Sequence, residues 1–293
     1  MKIISPFWLI SFFIIFIGTS ACDAQSKPTG SKEPIELNLQ KGKKYQLIEK
    51  LNFRTSLTPG DQKIESQVAM QNTLGFEVLQ KESDGTFLVK ITTDHIKADT
   101  SVGPMKMSYD SSEPEKSNME NLTKTILESQ LKTYIKMRLG PHGEIEPVPG
   151  GDNILSEGLD YLPASKREAM AEAERNKIVD KMKSLFSYLP LGPVDVNDKW
   201  VKNVKGPFEI NGKYIDLKSN YILSQRKKDQ IKIEVLPEKI IEGGLEGKSE
   251  GVYYLNRKTG WPEKCKVRLK LLGNNDGVPF SIDGELTLEG ESQ

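Results

Sequence analysis

The stretch Lys264-Cys265-Lys266-Val267-Arg268-Leu269-Lys270-Leu271 alternates strictly, with a cation at every even position and an apolar residue or cysteine at every odd position. A period of two is typical of a β-strand that buries one of its faces. Cys265 belongs to the apolar set, so it is predicted to be a small buried side chain and not a reactive thiol. The same period recurs through much of the chain, which indicates a β-rich fold.

The alternation also runs through the first folded block, residues 35–113. Its apolar positions form three series: Tyr45, Leu47, Leu51 and Phe53; Ile64, Val68, Met70, Leu74, Phe76 and Val78; Phe87, Val89 and Ile91. The turn sequences Thr58-Pro59-Gly60-Asp61 and Ser83-Asp84-Gly85 separate them. Proline and glycine favour tight reversals, so the block is predicted to be an antiparallel meander of long strands that reaches about Tyr109.

A second β block is predicted at residues 194–290, where period-two segments return. Residues 226–230 and 257–260 have the composition of hairpin turns, and Asn274-Asn275-Asp276-Gly277 is a third turn sequence. Trp200 and Trp261 stand beside turns, and both are interpreted as core anchors in preference to a sugar-stacking surface.

Residues 115–190, between the two β blocks, show helical spacing. From Ser117 the apolar residues recur three and four positions apart until Gly140-Pro141, and Ser165 and Glu168 have the spacing of a capping box. The second apolar stripe is Ile178, Met182, Leu185 and Leu189. This segment is therefore predicted to be an inserted pair of amphipathic helices.

Together the three blocks predict an α+β fold: a curved antiparallel sheet of two meanders, with the helix pair packed on one face. A strongly curved sheet can leave an apolar cavity that holds a lipid or another small apolar ligand. Bacterial lipoprotein carriers have this general architecture, although the analogy is one of fold and is not carried by a motif.

The first residues predict export. Lys2 precedes an apolar run at residues 7–17, and small residues lead to Cys22. This pattern is typical of a signal peptide at residues 1–21 followed by a lipidated cysteine at Cys22. Thr19 stands where lipoprotein cleavage sites usually have an aliphatic residue, so ordinary cleavage and a secreted soluble protein stay open as the alternative.

Residues 22–34 contain no large apolar side chain, which predicts a flexible tether between the lipidated cysteine and a single β-rich domain at residues 35–293. The expected location is the bacterial cell envelope, with a lipid anchor in the outer membrane or on a periplasm-facing surface. Because the tether leaves Cys22 far from the core, no disulfide with Cys265 is expected.

Several functions are disfavoured by composition and spacing. The chain has 41 basic and 41 acidic residues, which interleave, so nucleic acid is not expected as a partner. His95 and His142 lack the spacing of metal ligands. Residues 243–249 lack the first glycine of a phosphate-binding loop. No catalytic, cofactor-binding or metal-binding residue is therefore predicted, and acidic pairs such as Glu144 and Glu146 are interpreted as solvated.

Three short patterns occur in order: Lys41-Gly42-Lys43-Lys44-Tyr45, residues 191–200 ending in Trp200, and residues 247–260. Together they resemble an uncharacterised family of bacterial secreted proteins and lipoproteins, known only as a domain of unknown function. In that family the turn before the tryptophan usually begins with glycine. Asn197 takes this place here, and asparagine also tolerates a positive φ. The resemblance implies no activity.

The predicted function is that of a cell-envelope lipoprotein without enzymatic activity, which binds an apolar ligand or a partner protein of the envelope. A structural or assembly lipoprotein with a filled core is the alternative. A hydrolase that uses carboxylates alone is the least favoured hypothesis.

Overall fold

The computed structural model describes residues 32–153, 163–210, 213–242, 245–275 and 277–292. The described strands are β1 Lys44–Leu57, β2 Ile64–Lys81, β3 Phe87–Val102, β4 Met105–Asp110, β5 Tyr134–Leu139, β6 Ile145–Asp152, β7 Lys199–Ile210, β8 Lys213–Arg226, β9 Gln230–Glu242, β10 Leu245–Asn256, β11 Pro262–Asn275 and β12 Val278–Ser292. The helices are α1 Asn121–Lys132 and α2 Ala164–Leu185, with a 3₁₀ turn at Pro114–Lys116. The predicted signal peptide at residues 1–21 and Cys22 lie outside the described residues.

All twelve described strands belong to one antiparallel sheet, in the order β6-β5-β3-β2-β1-β12-β11-β10-β9-β8-β7, with β4 beside β3. The two meanders join because β1 pairs with β12 from Tyr45 opposite Ser292 to Leu57 opposite Phe280. The α+β class expected from the sequence is therefore wrong. The protein is mainly β, and its helices do not form a pair on the sheet.

The helical insert predicted at residues 115–190 also contains two strands. Helix α1 ends at Lys132, and β5 follows with Ile135, Met137 and Leu139 buried. The apolar residues recur three and four positions apart as far as Ile135, which is also consistent with a longer helix. The segment forms a strand because it pairs with β3. The capping box is wrong as well, because α2 begins after Pro163 without a side-chain cap.

The two helices pack in different places. Helix α1 packs on β3, in a small cluster of Ile96, Ala98, Tyr109, Met119 and Leu127. Helix α2 joins the main core and contacts both β6 and β7, which end the strand path on opposite sides. The sheet must curve around α2 to bring both edges within its reach. We call the face toward α2 the inner face and the opposite one the outer face. Neither described helix is long and apolar enough to span a membrane.

The alternation around Cys265 is confirmed. Cys265, Val267, Leu269 and Leu271 on the inner face are at most 3% exposed. The intervening cations lie on the outer face and pair with acids of the neighbouring strand β12. Lys266 and Arg268 contact Glu285 at 2.8 and 3.0 Å, and Lys270 contacts Asp283 at 3.2 Å.

Aromatic side chains close one end of the inner face. The ring centroid of Trp261 lies 5.1 Å from those of Tyr45 and Phe76 and 5.8 Å from that of Phe186. Trp261 is 2% exposed, so its predicted role as a core anchor is confirmed. Further buried members of this region, which we call the sealed end, are Ile35, Leu37, Leu39, Tyr188 and Tyr253.

Two predicted turns have the expected backbone. Gly260 has a φ of +66°, and a Cβ there would collide with the carbonyl of Glu36 in the N-terminal segment. Residues 257–260 are thus a hairpin turn against which that segment packs, with the backbone N–H of Asn38 donating to the carbonyl of Thr259 at 2.9 Å. Asn197 has a φ of 76°, as its place in the turn before Trp200 requires.

The buried tyrosine hydroxyls and the cysteine thiol of the core predict destabilisation by alkali. Burial raises the pKa of Tyr221 from 10.0 to about 12, and burial also raises the pKa of Tyr188, Tyr253 and Cys265. At alkaline pH the unfolded chain loses protons that the folded protein keeps, so the free energy of unfolding falls as pH rises from about 9 to about 12. In urea titrations, Tyr221→Phe should reduce this fall by about 2 kcal/mol. An equal fall in the variant and the parent protein would contradict the expectation.

Candidate functional site

Two polar residues interrupt the apolar inner face where β1 pairs with β2. Glu49 continues the alternation of Tyr45 and Leu47, and Asn72 lies directly opposite it. Residues that face each other across an antiparallel pair share one face of the sheet. Glu49 is 0% and Asn72 is 6% exposed. A carboxylate is almost never buried so fully without a partner.

Helix α2 supplies that partner. The Lys181 Nζ lies 2.8 Å from the Glu49 Oε2, and the Lys181 side chain is 17% exposed. The Asn72 Nδ2 donates to the same oxygen at 3.2 Å. We call Glu49, Asn72 and Lys181 the buried polar cluster. The cluster connects β1 and β2, in the middle of the sheet, to α2, which contacts the edge strands β6 and β7.

Two acceptor atoms of this cluster have no hydrogen-bond partner in the part of the chain that the structure describes. They are the Glu49 Oε1 and the Asn72 Oδ1. Other buried side-chain atoms without a partner there, such as the Ser249 hydroxyl on β10, lie singly and away from the cluster. Since buried polar atoms are satisfied in the great majority of cases, two unpaired acceptors on directly opposite residues indicate a place that a ligand or an ordered water could complete.

The cluster lies between the sealed end and an open end of the inner face. On the sealed side the next inner-face pair is Leu47 and Leu74, and both are buried. On the other side Leu51 is still buried, at 3% exposed, but Met70 opposite it is partly buried, and at the far end of the same strand pair Ile64 is 43% exposed. We call this second region the open end; its apolar residues are Phe53, Leu57, Ile64, Val68, Phe280 and Ile282, and Thr55 and Ser66 form a polar pair among them.

A glycine shapes the open end. Gly284 on β12 lies opposite Phe53 on β1, and a Cβ at Gly284 would collide with the Phe53 ring. The ring therefore lies across the glycine backbone.

The inner face carries one further charged group near its β7 edge. Lys202 lies opposite Ser219 of β8. Burial lowers the pKa of Lys202, and the negative charge of Glu144 partly opposes this effect. Lys202 is therefore a partly buried cation on β7, six strands from β1 in the order of the sheet.

A depression on the outer face offers a different chemistry. It encloses about 350 Å³ and is lined by Lys248, Glu250, Arg268, Lys270 and Asp283. Its charges pair across strands, as in the Lys270–Asp283 contact at 3.2 Å. A polar, charge-paired surface of this kind is unsuited to an apolar ligand.

The residues singled out from the sequence do not converge. Cys22 lies outside the described residues. The His95 Nε2 lies 3.0 Å from Asp110, whereas the backbone N–H of His142 donates to Glu144 at 2.9 Å in a turn. Hydrogen bonds from Ser112 and then from His95 lower the pKa of Asp110. In the described ranges, no group of three or more His, Cys, Asp or Glu residues could hold a metal ion.

The sequence analysis missed Glu49, Asn72 and Lys181, although the signal was present. Glu49 and Asn72 fill the gaps in the first two apolar series, in phase with the buried residues. Lys181 lies three positions after Ile178 and four before Leu185, within the stripe of α2 that faces the core. A polar residue in phase with a buried face is the pattern that would have identified each of them.

Comparison with known proteins assigns the chain to a family. The profile described as "Family of unknown function (DUF6263)" matches residues 84–262, more than half of the chain. The chain belongs to this family. The match includes the patterns at residues 191–200 and 247–260, whereas Lys41-Gly42-Lys43-Lys44-Tyr45 lies outside it. No curated protein matches the chain in sequence.

Solved structures provide a likeness of fold. One of them is lipovitellin, in a structure of its lipid–protein interactions. It aligns over 87% of this chain with 9% identity and a TM-score of 0.52. The alignment spans 26% of that lipovitellin chain. An outer membrane channel from Pseudomonas putida F1 aligns over 91% of this chain and 100% of its own, with 9% identity and a TM-score of 0.20. At 9% identity the likeness to lipovitellin is one of fold alone, and the TM-score of 0.20 shows no shared fold with the channel.

The buried ion pair should couple strongly in a double-mutant cycle. We expect Glu49→Gln and Lys181→Met to show a coupling energy of about 2 kcal/mol or more in urea unfolding, because each single change leaves a charged or polar group buried without its partner. The matched control is the outer-face pair of Lys50 and Glu289, 2.9 Å apart with side chains 38% and 48% exposed. The same changes there should couple by less than about 1 kcal/mol. Equal coupling energies at both pairs would show that burial does not strengthen the interaction between Glu49 and Lys181.

Proposed function

We propose that this DUF6263 protein is a non-enzymatic binding protein, and that its ligand is an apolar molecule held at the open end of the inner face. One observation carries the proposal: the inner face is sealed by packed aromatic rings at one end, yet at the other end Leu57, Phe280 and Ile282 are only partly buried and Ile64 is 43% exposed. Apolar surface left on the concave side of a rigid sheet favours an apolar ligand.

The lipovitellin likeness agrees with this proposal at the level of fold. A sheet of similar course in lipovitellin belongs to a structure described by its lipid–protein interactions. The residues that would contact a ligand in the DUF6263 protein are argued from its own inner face, because 9% identity transfers no residue role.

The sealed end favours a second candidate, a structural or assembly protein with a filled core. Phe186, Tyr188 and Trp261 are at most 2% exposed, and their rings pack against one another. In this alternative a partner protein of the envelope would cover the open end. Ligand binding separates the two candidates.

The patterns that suggested enzymes lie apart from one another and from the buried polar cluster. Glu144 serves the turn at His142, and Ser249 lies within β10, paired to β11, where a phosphate-binding loop would need a helix. These positions support the non-enzymatic proposal.

Apolar binding should be visible with N-phenyl-1-naphthylamine, a neutral dye that fluoresces in apolar surroundings. We expect the dye to bind, and Phe280→Ser to weaken binding by about 10-fold or more, because the change removes apolar contact area from the open end. Native mass spectrometry of the protein purified from cells should also show a retained lipid mass.

The matched control is Leu272→Ser on the outer face, where Leu272 is 61% exposed. This variant loses a large exposed apolar side chain but should bind the dye as the parent protein does. If the parent protein neither binds the dye nor retains lipid, the filled-core alternative replaces the carrier proposal.

We further propose that the protein is exported and anchored to the cell envelope by lipid on Cys22. The support comes from the sequence: the apolar run, the small residues before Cys22 and the polar stretch after it. Secretion as a soluble protein after ordinary cleavage is the alternative.

Intact-mass measurement of the exported protein tests the anchor. We expect the mature chain to begin at Cys22 and to carry the additional mass of its acyl chains, because the thiol receives the lipid. Cys22→Ser should abolish the added mass and release the protein from the membrane fraction, whereas Cys265→Ala should leave both unchanged. A mature chain without added mass would establish the soluble alternative.

A further inference from the structure

We infer that the ligand of the open end is amphipathic and that its head is a hydrogen-bond donor, such as the hydroxyl of an alcohol or the ammonium of an amine, bound by Glu49 and Asn72. This inference rests on the proposed function and specifies its ligand class.

The acceptor character of the site is the first argument. The Lys181 Nζ and the Asn72 Nδ2 both contact the Glu49 Oε2 as hydrogen-bond donors. The Glu49 Oε1 and the Asn72 Oδ1 remain, and both are acceptors without a partner among the described residues. A donor head would satisfy one or both. An ester has no hydrogen to donate, and a carboxylate would meet two acceptors with its own negative charge.

Position is the second argument. Along β2 the inner-face residues from the cluster toward the open end are Asn72, Met70 and Val68. Four residues of strand span about 13 Å, so a head at Asn72 would leave its chain along Met70 and Val68 toward the open end. The ligand would thus be bound head inward.

Met70 lies between the buried polar cluster and the open end. Its Sδ lies 3.4 Å from the Asn72 Nδ2, and it packs against both core clusters while remaining partly buried. An unbranched methionine adapts readily to a new neighbour. We therefore place the path of the ligand chain from the Asn72 amide to the open end at Met70.

The test is a competition series against N-phenyl-1-naphthylamine with four ligands of one chain length: dodecanol, dodecylamine, methyl dodecanoate and dodecanoate. We expect dodecanol and dodecylamine to displace the dye at roughly 10-fold lower concentration than methyl dodecanoate, the effect of one hydrogen bond to a charged or amide acceptor. Dodecanoate should be the weakest of the four.

A pair of variants assigns the preference to the site. Asn72→Leu should reduce the advantage of dodecanol over methyl dodecanoate, while Asn52→Leu, the same change on the exposed outer face of β1, should preserve it. Urea unfolding of each variant shows that it is folded before its ligands are compared. The series on the parent protein decides the matter even if Asn72→Leu does not fold.

Each result has one meaning. Equal displacement by all four compounds would overturn the donor-head inference and leave the apolar-ligand proposal standing. Strongest displacement by dodecanoate would also overturn it, since the head would then contact a cation such as Lys202. If the dye itself does not bind, the proposed function fails before the head group is tested.

Discussion

The need to keep the inner face of the sheet out of water determines the rest of the structure. Pairing of β1 with β12 makes one sheet from two meanders, so their buried faces become a single apolar surface. Helix α2 is the longest described element that can cover this surface, and it contacts both edge strands. The turn after α2 and the N-terminal segment complete the sealed end. Helix α1 covers the same face at β3, where Ile96 and Ala98 lie opposite Asn72 and Met70. Beyond these described elements, the inner-face residues Phe280 and Ile282 are only partly buried.

The strands could be predicted because they are long and bury one face. Cys265, Val267 and Leu269 alternate with cations, and the structure buries all three on one side. The turns at residues 226–230 and 257–260 were equally visible. The polar cluster was not found, since Glu49 and Asn72 were passed over as gaps in an apolar series when they are positions on the same face. The carboxylate needs a charged partner there, and a lysine in the buried stripe of α2 was the only clue to it.

Two features of the fold could not be predicted from the sequence because they depend on contacts between residues that are distant in the chain. Tyr134 and Ile135 continue the helical spacing of the apolar residues before them. Within the segment from Tyr134 to Leu139, however, the apolar residues alternate with a period of two. Only the exposed edge of β3 makes the strand preferable. Likewise, no local pattern in β1 indicates that its partner is β12, more than two hundred residues later in the chain. The expected helix pair and the α+β class were wrong for these reasons.

The buried polar cluster bears on the choice between a carrier and a filled-core scaffold. An apolar pair of similar volume in place of a buried ion pair often leaves stability unchanged or higher, so stability alone is a weak reason for Glu49 and Lys181 to lie in the core. An unpaired buried acceptor costs about 1 to 3 kcal/mol, and the cluster contains two that have no partner among the described residues. In a scaffold an ordered water would have to offset that cost. In a carrier the donor head of the ligand offsets it, which gives the cluster a reason to lie where the sealed core meets the open end.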